Sequence, residues 1–214
     1  AASNKIGTVA CGGDSLKAAS VSIKNGQALI LGSLTSVATG SPVYKGITAS
    51  GTVVLNVTGA LTVNYAVTAG GAIDIDSTST VTTSAGASIT GATDAVTIDS
   101  TGVTTLAAAV TTTTGNITFG GTLTGALSTS GSITTSGGSV TFGRAVTITD
   151  AVAITTSGGA VSFNSALDSD STARTLTVSS GSGTVTFSGA EGSARRRWGR
   201  LRSGRQLHGR KPRA

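Results

Sequence analysis

Asp74, Asp76 and Asp99 are the carboxylates whose spacing first suggests chemistry. Asp76 and Asp99 lie 23 residues apart, and Asp74 precedes Asp76 by two. In a chain periodic at that interval, stacking would bring the three together, and such a group could take a hard cation such as calcium through oxygen ligands. The competing reading is a set of solvated turn residues, and the sequence favours it. A dedicated calcium repeat carries Asp at one position of every repeat, whereas here Gly or Asn usually stands there. Asp168 and Asp170 offer a second acidic pair, with no third ligand in view. A polysaccharide-cleaving site would need carboxylates as general acid and base, or a Lys or Arg base beside calcium. Up to residue 190 the only cations are Lys5, Lys17, Lys24, Lys45, Arg144 and Arg174, and none is expected to cluster with Asp in the repeat register. The single histidine, His208, lies near the C-terminus, which leaves no His-based triad for the body of the chain. Cys11 is the single cysteine, so it has no partner for an internal disulfide or a paired-thiol metal site. The expectation is a protein that is not an enzyme, with no catalytic, cofactor-binding or metal-binding residues and no cofactor.

Threonine raises a different possibility. Regularly spaced hydroxyls can order water, and Thr147-Ile-Thr149 and Thr184-Val-Thr186 have the form of an ice-binding face. The equivalent outward pairs elsewhere are Asn116/Thr118, Ser139/Thr141, Ala160/Ser162 and Ala72/Asp74, which do not make a uniform array. Thr then reads as a strand former that stays soluble. Asn56-Val-Thr58 and Asn116-Ile-Thr118 match the glycosylation pattern, as expected by chance among 38 Thr and 29 Ser.

What would position any such site is a repeat. Val110–Phe119, Ile133–Phe142, Ile154–Phe163 and Val178–Phe187 align without gaps. Each has a β-branched residue, a short Thr/Ser/Gly turn and a strand ending in Phe. Within the strands Ile117/Phe119, Val140/Phe142, Val161/Phe163 and Val185/Phe187 alternate with polar residues, the period of two that sends one set inward. Weaker copies surround Leu55, Ile75 and Ile98, and Ala28–Leu31 is the most degenerate. The anchors 31, 55, 75, 98, 119, 142, 163 and 187 recur on average about every 22 residues. That period is too short for propeller blades or helical repeats, and it suits a parallel β-helix with three short strands per coil. The residue after each anchor (Asn56, Asp76, Asp99, Gly120, Gly143, Asn164, Ser188) marks a corner. The predicted fold is all-β: a right-handed parallel β-helix of about eight coils over residues 26–190, with residues 1–25 as a lead-in or cap and 191–214 as a basic, disordered tail.

Composition agrees. There are 31 Gly but only four Phe, two Tyr and one Trp, too few large side chains for a broad core but enough for a narrow stacked tube. The net charge of +6 is unevenly spread. Residues 1–190 hold six cations against eight Asp, a balance of −2, while 191–214 hold nine cations against one Glu, a balance of +8. The tail, with Trp198 among its arginines, is the only segment suited to nucleic acid; solvated or out-of-frame sequence are the other readings. No apolar run approaches a membrane-spanning length. With no Met in the chain, a processed product or a fragment of a longer protein is expected.

The phrases GNITFGGTLTGA (115–126), GGSVTFGRAVTI (137–148) and GSGTVTFSGA (181–190) resemble large bacterial β-strand-repeat surface proteins, among them filamentous-haemagglutinin-like and autotransporter-passenger adhesins. The resemblance covers roughly residues 26–190 and implies a secreted or surface-displayed rod. It implies a structural or adhesive role, host or cell-surface glycans or proteins as partners, and an extracellular or cell-surface location. No ligand motif of these adhesins maps onto a residue here. End-to-end or edge association is a further expectation. The alternatives are a β-helical carbohydrate-active enzyme and an ice-binding solenoid.

Overall fold

In the computed structural model the described residues are 7–10, 18–35, 43–121 and 123–189. Cys11, Lys5, Lys17 and the basic segment after residue 190, with Trp198 and His208, lie outside them. Among the described residues every regular element is a strand. Three parallel sheets wind together as a β-solenoid of about seven turns with the 22-residue period expected.

One coil shows the plan. Val53–Val57 belongs to sheet I, Leu61–Val63 to sheet II and Val67–Ala69 to sheet III, and the chain then returns to sheet I at Ile73–Ser77. Sheets I and II have eight strands each and sheet III has seven. Every pairing within them is in parallel register, so each residue sits on its counterpart one coil earlier. In sheet I one inward file runs Leu55, Ile75, Ile98, Phe119, Phe142, Phe163 and Phe187, as the anchors require. Ile23, not Leu31, begins that file. Leu31 instead pairs with Val63 in sheet II. The alignment slipped there because an antiparallel hairpin, Ser33–Thr35 with Val43–Lys45, lengthens the first interval. The strand Val21–Asn25, within the stretch read as a lead-in, already pairs with Val53–Val57.

The alternation read from the sequence is realised in burial. Val140 and Val161 have no exposed surface, and Phe119, Phe142 and Phe163 are at most 1% exposed. The four rings stack nearly parallel, with centroids 5.3, 4.5 and 5.0 Å apart along the file. Each such pair contributes about 0.5–1.5 kcal/mol beyond the area it buries.

The Thr/Ser/Gly turns of the repeat are the corners between sheets III and I. The Thr112 hydroxyl donates to the Gly115 carbonyl at 2.6 Å, and the Ser180 hydroxyl to Gly183 at 2.8 Å; Thr156 and Gly159 pair likewise. Thr135 donates to the Gly115 carbonyl one coil earlier at 3.1 Å. These buried hydroxyls satisfy carbonyls that the bend takes out of the ladder. The glycine is required by close approach: a Cβ on Gly138 would lie 2.0 Å from the Gly115 oxygen, and one on Gly159 would lie 1.9 Å from the Gly138 oxygen. The corner at the end of sheet I differs along the rod. Gly120 and Gly143 follow the strand end, but Asn56, Asp76 and Asp99 are still inside five-residue strands.

Placing Asp at Val140 or Val161 buries a charge with no partner inside the tube. Each substitution is expected to cost more than about 4 kcal/mol and to abolish cooperative melting. Native circular dichroism and an unchanged melting temperature in both variants would refute this register.

Candidate functional site

Asp74 and Asp76 alternate with Ile73, Ile75 and Ser77 along one strand of sheet I, so both face outward while the other three are buried. The register builds a polar file from Lys24 through Asn56 and Asp76 to Asp99. A second file holds Val54, Asp74 and Thr97. Partial burial, and after it the charges of Asp74 and Asp99, hold the Asp76 carboxyl above the ordinary carboxylate range. Two neighbouring carboxyls with different environments are the raw material of acid–base chemistry. Among the described residues, no three or more His, Cys, Asp or Glu come together as a metal site.

Asp99 does not join that pair as a free carboxylate. Its side chain accepts the backbone N–H groups of Ser100, Gly121 and Leu123 at 2.9–3.0 Å. It also forms an ion pair with Arg144, both side chains being at most 5% exposed. Arg144 Nη1 donates to the carbonyls of Ser100 at 2.9 Å and Gly125 at 2.6 Å, and Nη2 donates to Leu123 at 2.7 Å. Thus one guanidinium binds a carboxylate two coils earlier, across the intervening corner. The glycines after Phe119 make the space: a Cβ on Gly120, whose φ is +88°, would lie 2.3 Å from Arg144 Nε. This corrects the expectation that no cation clusters with Asp in the repeat. The pair spans 45 residues, two periods plus one, so the two sit in adjacent columns and an alignment within one column passes over them. The signal that could have found it is an Arg in a Gly-rich corner where other coils carry no charge.

The second acidic pair is also engaged locally. Both Asp170 oxygens accept from Arg174, at 2.9 and 2.7 Å, and this holds the Asp170 carboxyl below its ordinary range. Asp168 accepts its neighbour Ser169 N–H at 2.8 Å.

Threonine is arranged differently from expectation. The outward positions of sheet I are mixed, as read from the sequence. Sheet III, however, carries one unbroken file: Thr48, Thr68, Thr90, Thr111, Thr134 and Thr155, ending in Ser179. The signal was a β-branched residue followed by Thr in each coil. Alignment on the Phe anchors hid it, because these strands lie in a different third of the repeat.

No protein-family model matches the chain, and no curated protein or solved structure matches it.

Two expected outcomes follow from this geometry. Arg144→Met leaves the buried Asp99 charge without its partner and should lower stability by about 3–5 kcal/mol. Adding Asp99→Asn should recover part of that loss in a double-mutant cycle, whereas strictly additive effects would deny the coupling. For Asp76 the sign is reversed from a paired carboxylate. Folding raises its pKa, so its contribution favours folding in acid and is lost as pH rises through the folded-state value. Asp76→Asn should therefore raise the melting temperature at pH 7, with the gain vanishing in acid where the wild-type carboxyl is protonated. Equal melting temperatures at pH 7 would contradict this.

Proposed function

We propose that the chain is a structural, adhesive rod segment of a secreted or surface-displayed repetitive bacterial protein. The observation that carries this reading is the register. The outward residues of successive coils form files parallel to the rod axis, so one short pattern is displayed again at every ~4.8 Å step. Such a surface suits weak, repeated contacts with an extended partner such as a cell-surface glycan or protein, where many small interactions add along the length. The resemblance of residues 115–126, 137–148 and 181–190 to bacterial β-strand-repeat adhesins points the same way.

A β-helical carbohydrate-active enzyme is the runner-up. Its adjacent carboxylates would be Asp74 and Asp76, because Asp99 is committed to Arg144 and Asp170 to Arg174. Ice binding would have single files of hydroxyls on separate sheets to draw on, the Thr48–Thr155 file of sheet III and Thr62, Thr82, Thr105, Ser128 and Thr147 of sheet II, rather than a two-dimensional array on one face.

The deciding experiment presents the full chain to immobilised polysaccharides and host-cell surfaces and follows both retention and release of shortened glycans. The adhesive reading expects saturable retention that Asp74→Asn and Asp76→Asn leave unchanged within about twofold. Glycan turnover abolished by either substitution would overturn it in favour of the enzyme.

A further inference from the structure

The three faces of the rod differ in charge. Sheet I displays Lys24, Asp74 and Asp76, and sheet II displays Asp168. Sheet III displays none. Its seven strands with their immediate flanks are 46–50, 66–70, 88–92, 109–113, 132–136, 151–157 and 175–181, and none of these segments contains Asp, Glu, Lys or Arg. The nearest charges in sequence lie at its margins: Lys45 ends the hairpin strand Val43–Lys45, and Asp94, Asp150 and Arg174 lie in connections. An uncharged centre with a polar rim is the layout of a protein–protein contact.

The relief of this face is regular. The file from Thr48 to Thr155 stands as a single ridge, half-buried along its length. Two residues before it runs a file of smaller side chains, including Ala66, Ser88, Ala109, Ser132 and Ala153. The file two residues after it is mostly small, with Ser50, Gly70, Ala92 and Ser136, and is interrupted by Thr113. A ridge with a shallow groove on each side is complementary to itself. When two such faces are brought together about a two-fold axis, each ridge can enter a groove of the other. Because the strands are in register, the ridges share the same ~4.8 Å step and interdigitate along the whole sheet. Two uncharged surfaces also meet without the like-charge repulsion that a self-contact through sheet I would bring.

Size sets the strength. Seven strands span about 30 Å along the axis, and five residues across span about 17 Å. The contact would bury roughly 500 Å² on each partner, about 1,000 Å² in all, which is the lower bound for a specific interface and fits a reversible, concentration-dependent dimer.

We propose that sheet III is a self-association face through which two copies of this chain pack side by side, ridge into groove. This inference rests on the fold and stands apart from whether the rod also adheres to a glycan or a cell.

The test is sedimentation velocity on the full chain in about 0.15 M salt, where long-range repulsion between the basic segments is largely screened. Three variants accompany the wild type. Thr111→Lys puts a charge at the middle of the seven-stranded face; Thr105→Lys and Thr118→Lys put the same charge on sheets II and I. All three sites face outward, so circular dichroism and melting should match the wild type. The expected result is a wild-type mass that rises from one chain toward two as concentration increases into the high micromolar range. Thr111→Lys should weaken that dimer at least tenfold, and the two controls should leave it within about twofold. A wild-type chain that stays monomeric to millimolar concentration overturns the proposal. If that monomer also shapes growing ice crystals and Thr111→Lys abolishes the effect, the face binds ice. A dimer or longer assembly that Thr111→Lys leaves intact overturns it equally, because association then runs through the rod ends or another face. Should Thr111→Lys fail to fold, Thr134→Lys on the same ridge replaces it and is judged by the same outcomes.

Discussion

Everything in this molecule depends on one constraint: each coil must lie in register on the one before it. The parallel hydrogen-bond ladder fixes the spacing between coils at about 4.8 Å, less than the width of most large side chains packed at random. A side chain in the tube therefore has one close neighbour above and one below, at its own position in the repeat. Like must stack on like or on something of similar breadth. The Phe file satisfies this with rings that lie 3–15° from parallel. The same constraint explains the small residues at the corners, where backbones pass so closely that a Cβ on Gly138 or Gly159 has no room. It also explains why a chain so poor in large side chains can hold a continuous core: the tube is narrow and the ladder does the rest.

Register made the fold legible. The alternation of Val140 with Phe142 and of Val161 with Phe163 recurs in enough copies that strand, face and period could all be taken from the sequence. Where the reading slipped, the cause was local. Ala28–Leu31 is apolar and strand-like, so it passed for an anchor, but the inserted hairpin between Ser33 and Lys45 moves the true first anchor back to Ile23. Insertions change spacing without changing composition, and spacing is what an alignment measures. The Asp column shows the same limit. Asp76 and Asp99 do share a column, yet their environments diverge because of Arg144, two coils away.

That ion pair shows how a solenoid accommodates an exception. A buried guanidinium and carboxylate are costly to desolvate, and hydrogen-bond partners on both groups offset the cost. Here the carboxylate accepts three backbone N–H groups and the guanidinium donates through Nη1 and Nη2 to three carbonyls, with Arg144 Nε alone left buried and unbonded, so the pair ties coils that the ladder joins only to nearest neighbours. Two of the carbonyls it binds, those of Leu123 and Gly125, sit in the longer corner after Phe119, where the chain leaves the regular hydrogen-bond pattern, and the third is that of Ser100 at the end of its strand. The staple occurs where the ladder is weakest, which accounts for an Arg in a body that has few charges.

The same periodic logic divides the surface. Inward positions must match their neighbours, but outward positions are free to vary: on sheet I Val54, Asp74 and Thr97 follow one another in a single file, and on sheet II a run of Thr and Ser from Thr62 to Thr147 is bounded by Ile30 and Asp168. On sheet III six coils in succession keep Thr at the centre. Strand propensity accounts for part of that, since Thr also predominates at the equivalent positions of sheets I and II; what sets sheet III apart is that no Val, Ile or Asp interrupts the file. Solubility does not account for it, because charged residues serve that end better and are the type missing from this face. A uniform, uncharged surface with one ridge between shallow grooves is what a face shaped to meet another surface of the same period presents. Within this fold the simplest surface with that period is the same face on a second rod.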